Sequence, residues 1–188
     1  HTLPKNIIAA TAFDVLSHAL ESLTARPFSQ FAKPDTAKGR PYAQGGNPFS
    51  DMIAKEALDI VGKYIVPAVT DANNYEAREK LMWASSLAGI AFGQAGCHLP
   101  HGMSYAVSGL VKDFRPEGYP QDTPIVPHGM SVILNAPSVF RLTGPHAPER
   151  HLTAYKCLGG THEAGPSEAG DAIAEQLIGM MKSTGIPN

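Results

Sequence analysis

The chain reads as an all-α protein, on three observations. Apolar residues recur at three- and four-residue spacing through most of it. No run alternates apolar and polar residues as a half-buried strand must. The periodic runs are separated by clusters of proline, glycine, asparagine and aspartate. About seven helices are expected. For 188 residues the simplest organisation is one domain over residues 1–188, large enough to bury roughly 70% of its unfolded surface.

In chain order, residues 1–10 read as an extended lead-in, with Pro4 disfavouring helix in the residue before it. The opening helix is expected from about Phe13 to Thr24, where Phe13, Leu16, Leu20 and Leu23 form an apolar stripe. Residues 26–49 form a long loop rich in proline and glycine, of the kind that is usually functional or mobile. Its Arg26, Lys33, Lys38 and Arg40 outnumber Asp35. That excess suits an acidic small molecule, although composition alone favours a plain solvated loop.

Asn47-Pro48-Phe49-Ser50-Asp51 carries capping residues and an early proline, so a second helix starts there. Met52, Ile53, Ala57, Leu58, Ile60, Val61 and Ile65 give it a broad buried face, with a break near Pro67. A long helix follows from Tyr75 to about Gly96. Gly89, Gly93 and Gly96 within it suggest close approach of a neighbouring element; a dinucleotide fingerprint needs its glycines between a strand and a helix. A short helix is expected from His98 to about Leu110, then a Pro-rich excursion over 111–127. Further helices are expected from His128 to Asn135 or Phe140, from Pro148 to Leu158, and from Ser167 to Thr184, with Gly185 as a C-terminal cap.

Composition narrows the function. A formal net charge of −2 leaves no basic footprint for nucleic acid. Hydrophobic residues at 43% and charged residues at 17% suit a globular domain with much buried helix surface, one that packs against another domain. Two cysteines, Cys97 and Cys157, do not make a disulfide framework, and a reduced intracellular compartment is expected. No apolar run approaches a membrane span, and no signal-peptide pattern opens the chain. The start at His1-Thr2-Leu3-Pro4 and the stop at Ile186-Pro187-Asn188, just past a helix, both read as cuts.

The chemistry concentrates in a few side chains. Asp14 and His18 stand four residues apart on the opening helix, which brings their Cβ atoms to about 5–6 Å. Such a pair makes half of a first-row metal site, or else a plain surface pair, or a helix cap in Asp14. The other half is available from His98, His101 and His128. One carboxylate with two or three imidazoles suits Fe(II), Zn(II) or Mn(II) better than calcium. A metal with open positions acts as a Lewis acid on a substrate oxygen. His98-Leu99-Pro100-His101 lacks the Glu and the spacing of a zinc protease, and no Gly-x-Ser-x-Gly elbow is present. Cys97 reads as a small packing residue. His1, His146, His151 and His162 lie in or near loops and helix ends, and take no role.

Several stretches together resemble the iron-containing (group III) alcohol dehydrogenases. They are Ala9 to Glu21 with Asp14 and His18, then His101-Gly102-Met103, then Pro127-His128-Gly129. Phe13 to Ser22, Gln44 to Asp51, Gly96 to Tyr105, Leu110-Val111-Lys112 and Pro148 to Leu152 look more narrowly like the hydroxyacid–oxoacid transhydrogenase branch. The resemblance covers nearly the whole chain. It implies a helical C-terminal metal-binding domain of the dehydroquinate synthase-like fold, without the N-terminal α/β dinucleotide-binding domain. It implies Asp14, His18, His101 and His128 as the four ligands of Fe(II), with Zn(II) as the alternative, and His98 as a neighbour. Many members carry a histidine near the nicotinamide where this chain, as is usual in the transhydrogenase-like branch, has Tyr105; the histidine's proton relay does not carry over, and Tyr105 is the catalytic candidate.

The implied activity of the parent enzyme is hydride transfer between a small hydroxy acid and an oxo acid through NAD; 4-hydroxybutyrate and 2-oxoglutarate are the implied pair. The alternatives are a plain NAD-dependent alcohol dehydrogenase and a non-catalytic metal-binding helical fragment. The isolated 188 residues are expected to show no nicotinamide-dependent turnover. Arg26, Lys33 and Arg40 are candidate partners for a substrate carboxylate. A homo-oligomer is also possible for this family. The location implied is the cytoplasm for a bacterial protein and the mitochondrial matrix for a eukaryotic one.

Overall fold

The computed structural model describes residues 2–187; His1 and Asn188, the two ends read as cuts, lie outside the described residues. Eight α-helices are present among these residues: α1 (Lys5–Thr24), α2 (Pro48–Thr70), α3 (Tyr75–Ala95), α4 (Leu99–Gly109), α5 (His128–Ile133), α6 (Ala136–Thr143), α7 (Pro148–Cys157) and α8 (Ala169–Thr184). Among them no strand forms, and the one ladder contact is an isolated bridge between Pro27 and Gly46. The all-α expectation holds. No helix among the described residues is long and apolar enough to cross a membrane.

α1 is the axis of the fold. Fourteen of its residues are buried, from Ile8 to Thr24, and it packs against α2, α3, α5 and α7. Phe13, Leu16, Leu20 and Leu23 are essentially inaccessible, joined in one core by Leu58, Ile65, Phe140, Ile173 and Leu177 from other helices. The lead-in expected over residues 1–10 is shorter: residues 2–4 are non-helical, and α1 begins at Lys5. Proline restricts the residue before it but suits a helix start. Pro4 (φ −59°, ψ 150°) therefore occupies the cap position, and Ile7 and Ile8 already donate to its carbonyl.

Local chemistry places the other helix starts. Asn47 accepts from the amides of Phe49 and Ser50 while the Ser50 hydroxyl accepts from the Asn47 amide, a reciprocal cap on α2. Asn74 caps α3 through Ala77. The expected break near Pro67 does not occur, since α2 runs to Thr70. Pro67 lies in the last turn, where its missing N–H removes a single helical bond, and Ile65, Ala68 and Val69 stay buried around it. The helix expected from His128 divides instead into α5 and α6, with Pro137 at the start of the latter.

The 26–49 loop is closed at its neck by Phe28 N–H to Gly46 O and Gly46 N–H to Arg26 O. Two glycines expected to permit close packing do not. A Cβ at Gly89 or Gly93 would meet nothing within 4 Å, because this side of α3 is open; Gly96 alone is crowded, 2.8 Å from the Ala43 methyl.

Candidate metal centre

Three helices converge on the middle of α1. Asp14 and His18 lie one turn apart, with Asp14 Oδ2 3.7 Å from His18 Nδ1. Gly96 (φ +89°) turns the chain out of α3, and Pro100 sits in the first turn of α4. This presents His101 across α1, its Nε2 3.3 Å from Asp14 Oδ1. α5 begins at His128, and Gly129 allows it to rest directly on α1: a Cβ at Gly129 would lie 1.9 Å from the Ala10 carbonyl oxygen. His128 Nε2 thereby comes within 3.5 Å of the same Asp14 oxygen.

The donor atoms of Asp14, His101 and His128 all lie within 4.8 Å of one another. His18 falls outside that triplet and forms a second one with His101 and Cys97. Its ring stacks between Phe92 and His101, with centroids at 4.2 and 4.3 Å. Of the four expected ligands, three therefore converge directly and the fourth stands beside them.

These residues fit a divalent first-row ion. Asp14 Oδ1 and His101 Nε2 are buried yet neither makes a hydrogen bond, although they face each other. Buried polar atoms are rarely left so. Bonds of about 2.0–2.2 Å to oxygen and nitrogen would set neighbouring donors about 3–3.5 Å apart, close to the spacings present.

Without a metal, His101 carries the local positive charge. Burial works against it. The Asp14 carboxylate, the Cys97 thiol and the Glu21 carboxylate beside the ring outweigh burial and push it up to about 12. Burial tends to raise Asp14, but His101, His18 and His128 together hold it below the usual carboxylate range. Burial pulls His18 below the ordinary imidazole value, against the opposing charge of Asp14.

Glu21 is the functional residue that sequence reasoning missed. It is fully buried, and Oε1 accepts from His101 Nδ1 at 2.5 Å while Oε2 accepts from the His98 amide at 2.5 Å. A carboxylate behind a ligating histidine fixes its tautomer and turns the other nitrogen outward. A signal was present: Glu21 lies seven residues after Asp14, on the same helical face, inside the apolar run Ala19-Leu20-Glu21-Ser22-Leu23.

His98 holds the fold. Thr24 Oγ1 donates to Leu20 O, so it accepts from His98 Nε2 at 2.9 Å. The packing role expected of Cys97 is not what the structure gives, since the residue is exposed. Tyr105 lies one turn beyond His101 and is 72% exposed. Arg26 is engaged with its own loop, donating to Gln30 O and covering the Phe31 ring. Lys33 and Arg40 are exposed on that loop.

Helical architecture and donor set together point to one class of protein. The C-terminal model of the Fe-containing alcohol dehydrogenase family matches residues 42–188, and the chain belongs to that family. Among curated relatives it is 47% identical over 181 residues to the mitochondrial hydroxyacid-oxoacid transhydrogenase of Bos taurus, covering 94% of this chain and 39% of the relative. It is 43% identical over 190 residues to the protein of the same name from Caenorhabditis briggsae, covering 100% of this chain and 41% of the relative. The chain thus spans about two fifths of the length of these relatives.

Solved structures share the fold. A 1,3-propanediol oxidoreductase superposes with TM-score 0.77 at 24% identity, over 99% of this chain and 41% of that one. The alcohol dehydrogenase of Oenococcus oeni does so with TM-score 0.77 at 22% identity, over 98% and 40%.

Proposed function

We propose that residues 1–188 act as the helical metal-binding domain of a transhydrogenase that moves hydride between a hydroxy acid and an oxo acid through NAD. One observation carries the metal assignment. Asp14 Oδ1 and His101 Nε2 are buried without hydrogen-bond partners, 3.3 Å apart, with His128 3.5 Å from the same oxygen. The ligand set is Asp14, His18, His101 and His128, holding Fe(II), or Zn(II) as the alternative. The choice of reaction rests on the 41–48% identity to hydroxyacid-oxoacid transhydrogenases.

When bound, the metal polarises the hydroxyl or carbonyl oxygen of the substrate. The side chains do the rest. Glu21 holds His101 with Nε2 turned toward Asp14, and Phe92 with His101 clamps the His18 ring. Tyr105, exposed one turn after His101 on α4, is the candidate to exchange a proton with substrate through its hydroxyl. NAD and the remainder of its cleft come from the dinucleotide-binding portion that family members carry before this domain. The intact protein works as a homo-oligomer, in the mitochondrial matrix of a eukaryote or the cytoplasm of a bacterium.

Metal analysis of the intact protein beside Asp14→Ala and His128→Ala tests the site; unchanged metal content in both variants refutes it. Activity is tested by following bound nicotinamide. In a transhydrogenase, NADH formed from 4-hydroxybutyrate stays bound and is reoxidised by 2-oxoglutarate. Free release of NADH with no oxo acid present identifies the plain dehydrogenase instead.

A further inference from the structure

We infer that Cys97 is a metal-ligating side chain: with His18 and His101 it forms a sulfur-containing site that overlaps the Asp14–His101–His128 triplet and takes thiophilic divalent ions such as zinc or cobalt. This rests on the metal-centre reading above and deepens it. The ligand atoms of His18, Cys97 and His101 lie within 4.8 Å of one another. His101 is 8% exposed; its Nδ1 is engaged by Glu21, which leaves Nε2 as the ring nitrogen without a hydrogen-bond partner, free to ligate once its proton is displaced. The two triplets share this ring.

The backbone places the thiol. Gly96 adopts φ +89°, where a side chain is strained, and a Cβ there would press on Ala43 at 2.8 Å. The turn it makes carries Cys97 out of α3 into the short connection just before His98, the residue that caps α4, close to His101. Cys157, by contrast, packs against the hydrophobic core. Cys97 is exposed, so its sulfur is not consumed in packing.

The chemistry separates the two halves. A carboxylate with imidazoles is a hard-to-borderline set, whereas thiolate with imidazoles favours softer ions. Coordination by Cys97 replaces its S–H bond with a sulfur–metal bond and releases the proton to solvent. His18 stacks on His101 at 4.3 Å and stands 3.7 Å from Asp14, so it serves either set. An ion that prefers sulfur is drawn toward Cys97, and one that prefers oxygen stays on Asp14 and His128. Metal selectivity at this centre is therefore set in part by a residue outside the four-ligand set.

Cobalt(II) titration of the intact, chelator-stripped protein tests this. Two optical signals are read: the d–d bands, which report bound cobalt, and the near-ultraviolet thiolate-to-cobalt charge transfer, which reports sulfur. The expected result is both signals in the parent protein and in Cys157→Ser. Cys97→Ser should keep the d–d bands and lose the charge transfer. Its zinc affinity should fall by about tenfold or more, the size of loss that outer partners already produce, with manganese affinity changed less. Cobalt bound with d–d bands but no charge transfer overturns the Cys97 role and leaves the metal centre standing, as does a band that survives Cys97→Ser. Failure to bind cobalt at all overturns both.

Discussion

Replacing Glu21 with glutamine tests the centre more sharply than removing a ligand, because it changes one atom and no volume. In the parent protein the two carboxylate oxygens accept from His101 Nδ1 and the His98 amide, both at 2.5 Å. A glutamine offers one oxygen and one NH2, so one of the two donors then faces another donor. A hydrogen bond to a charged group contributes about 1.5–3 kcal/mol, and a buried donor left unpaired costs about 1–3 kcal/mol. The metal-free protein should therefore lose about 3 kcal/mol. At roughly 2–4 °C per kcal/mol for a domain of this size, Tm falls by about 6–12 °C.

The metal readout is independent of that loss. Outer-shell partners of ligating histidines are worth about ten- to a hundredfold in affinity. Kd should weaken by that factor, measured by chelator competition at a temperature where the variant remains folded. A lowered Tm with Kd unchanged would reduce Glu21 to a structural residue. An unchanged Tm together with an unchanged Kd would refute the reasoning entirely.

Three further outcomes are expected. Gly129→Ala places a methyl 1.9 Å from the Ala10 carbonyl oxygen and 2.9 Å from Asp14 Cβ. It should lift α5 off α1, cost more than the ~1–3 kcal/mol typical of overpacking, and lower metal content by moving His128; a thermal melt and metal analysis that match the parent contradict this. Arg150→Lys removes a fork in which Nη1 and Nη2 bind Asp51 while Nε binds Leu23 O. With both partners about one-fifth exposed, a loss of about 1–2 kcal/mol is expected in urea denaturation.

The third outcome concerns pH. His151 is buried, donates from Nδ1 to Ala147 O and is paired through Nε2 with the Thr143 hydroxyl at 2.8 Å; burial, with the nearby Arg150 charge, lowers its pKa below 6.5. The unfolded chain therefore takes up a proton there before the folded one does. The stability this group contributes is present above pH 6.5 and is lost as pH falls below it, by at most about 1.4 kcal/mol per pH unit. In metal-free protein, the stability advantage of the parent over His151→Gln should shrink between pH 7 and pH 5. An advantage that is constant across that range contradicts the assignment.

The helices were legible before any coordinates because their causes are local. The Phe13-Leu16-Leu20-Leu23 stripe, the Asn47 cap and the Gly185 stop each act within a turn or two of themselves. Where reading failed, a longer-range term won. Pro67 predicts a break by local rules, but tertiary burial of Ile65 and Val69 carries α2 past it. Gly89 and Gly93 permit a close contact, yet whether a neighbour approaches is not encoded at the glycine.

The site divides along the same line. Asp14 and His18 could be paired from their spacing because one helical turn fixes their separation. The family resemblance added His101 and His128, residues whose meeting point no local rule supplies. Packing of α4 and α5 on α1 decided the rest: that Asp14 Oδ1 and His101 Nε2 are left facing each other unpaired, that Glu21 is buried behind His101, and that Cys97 joins His18. Those are distances between segments far apart in the chain. They exist only once burial of α1 has drawn the helices together.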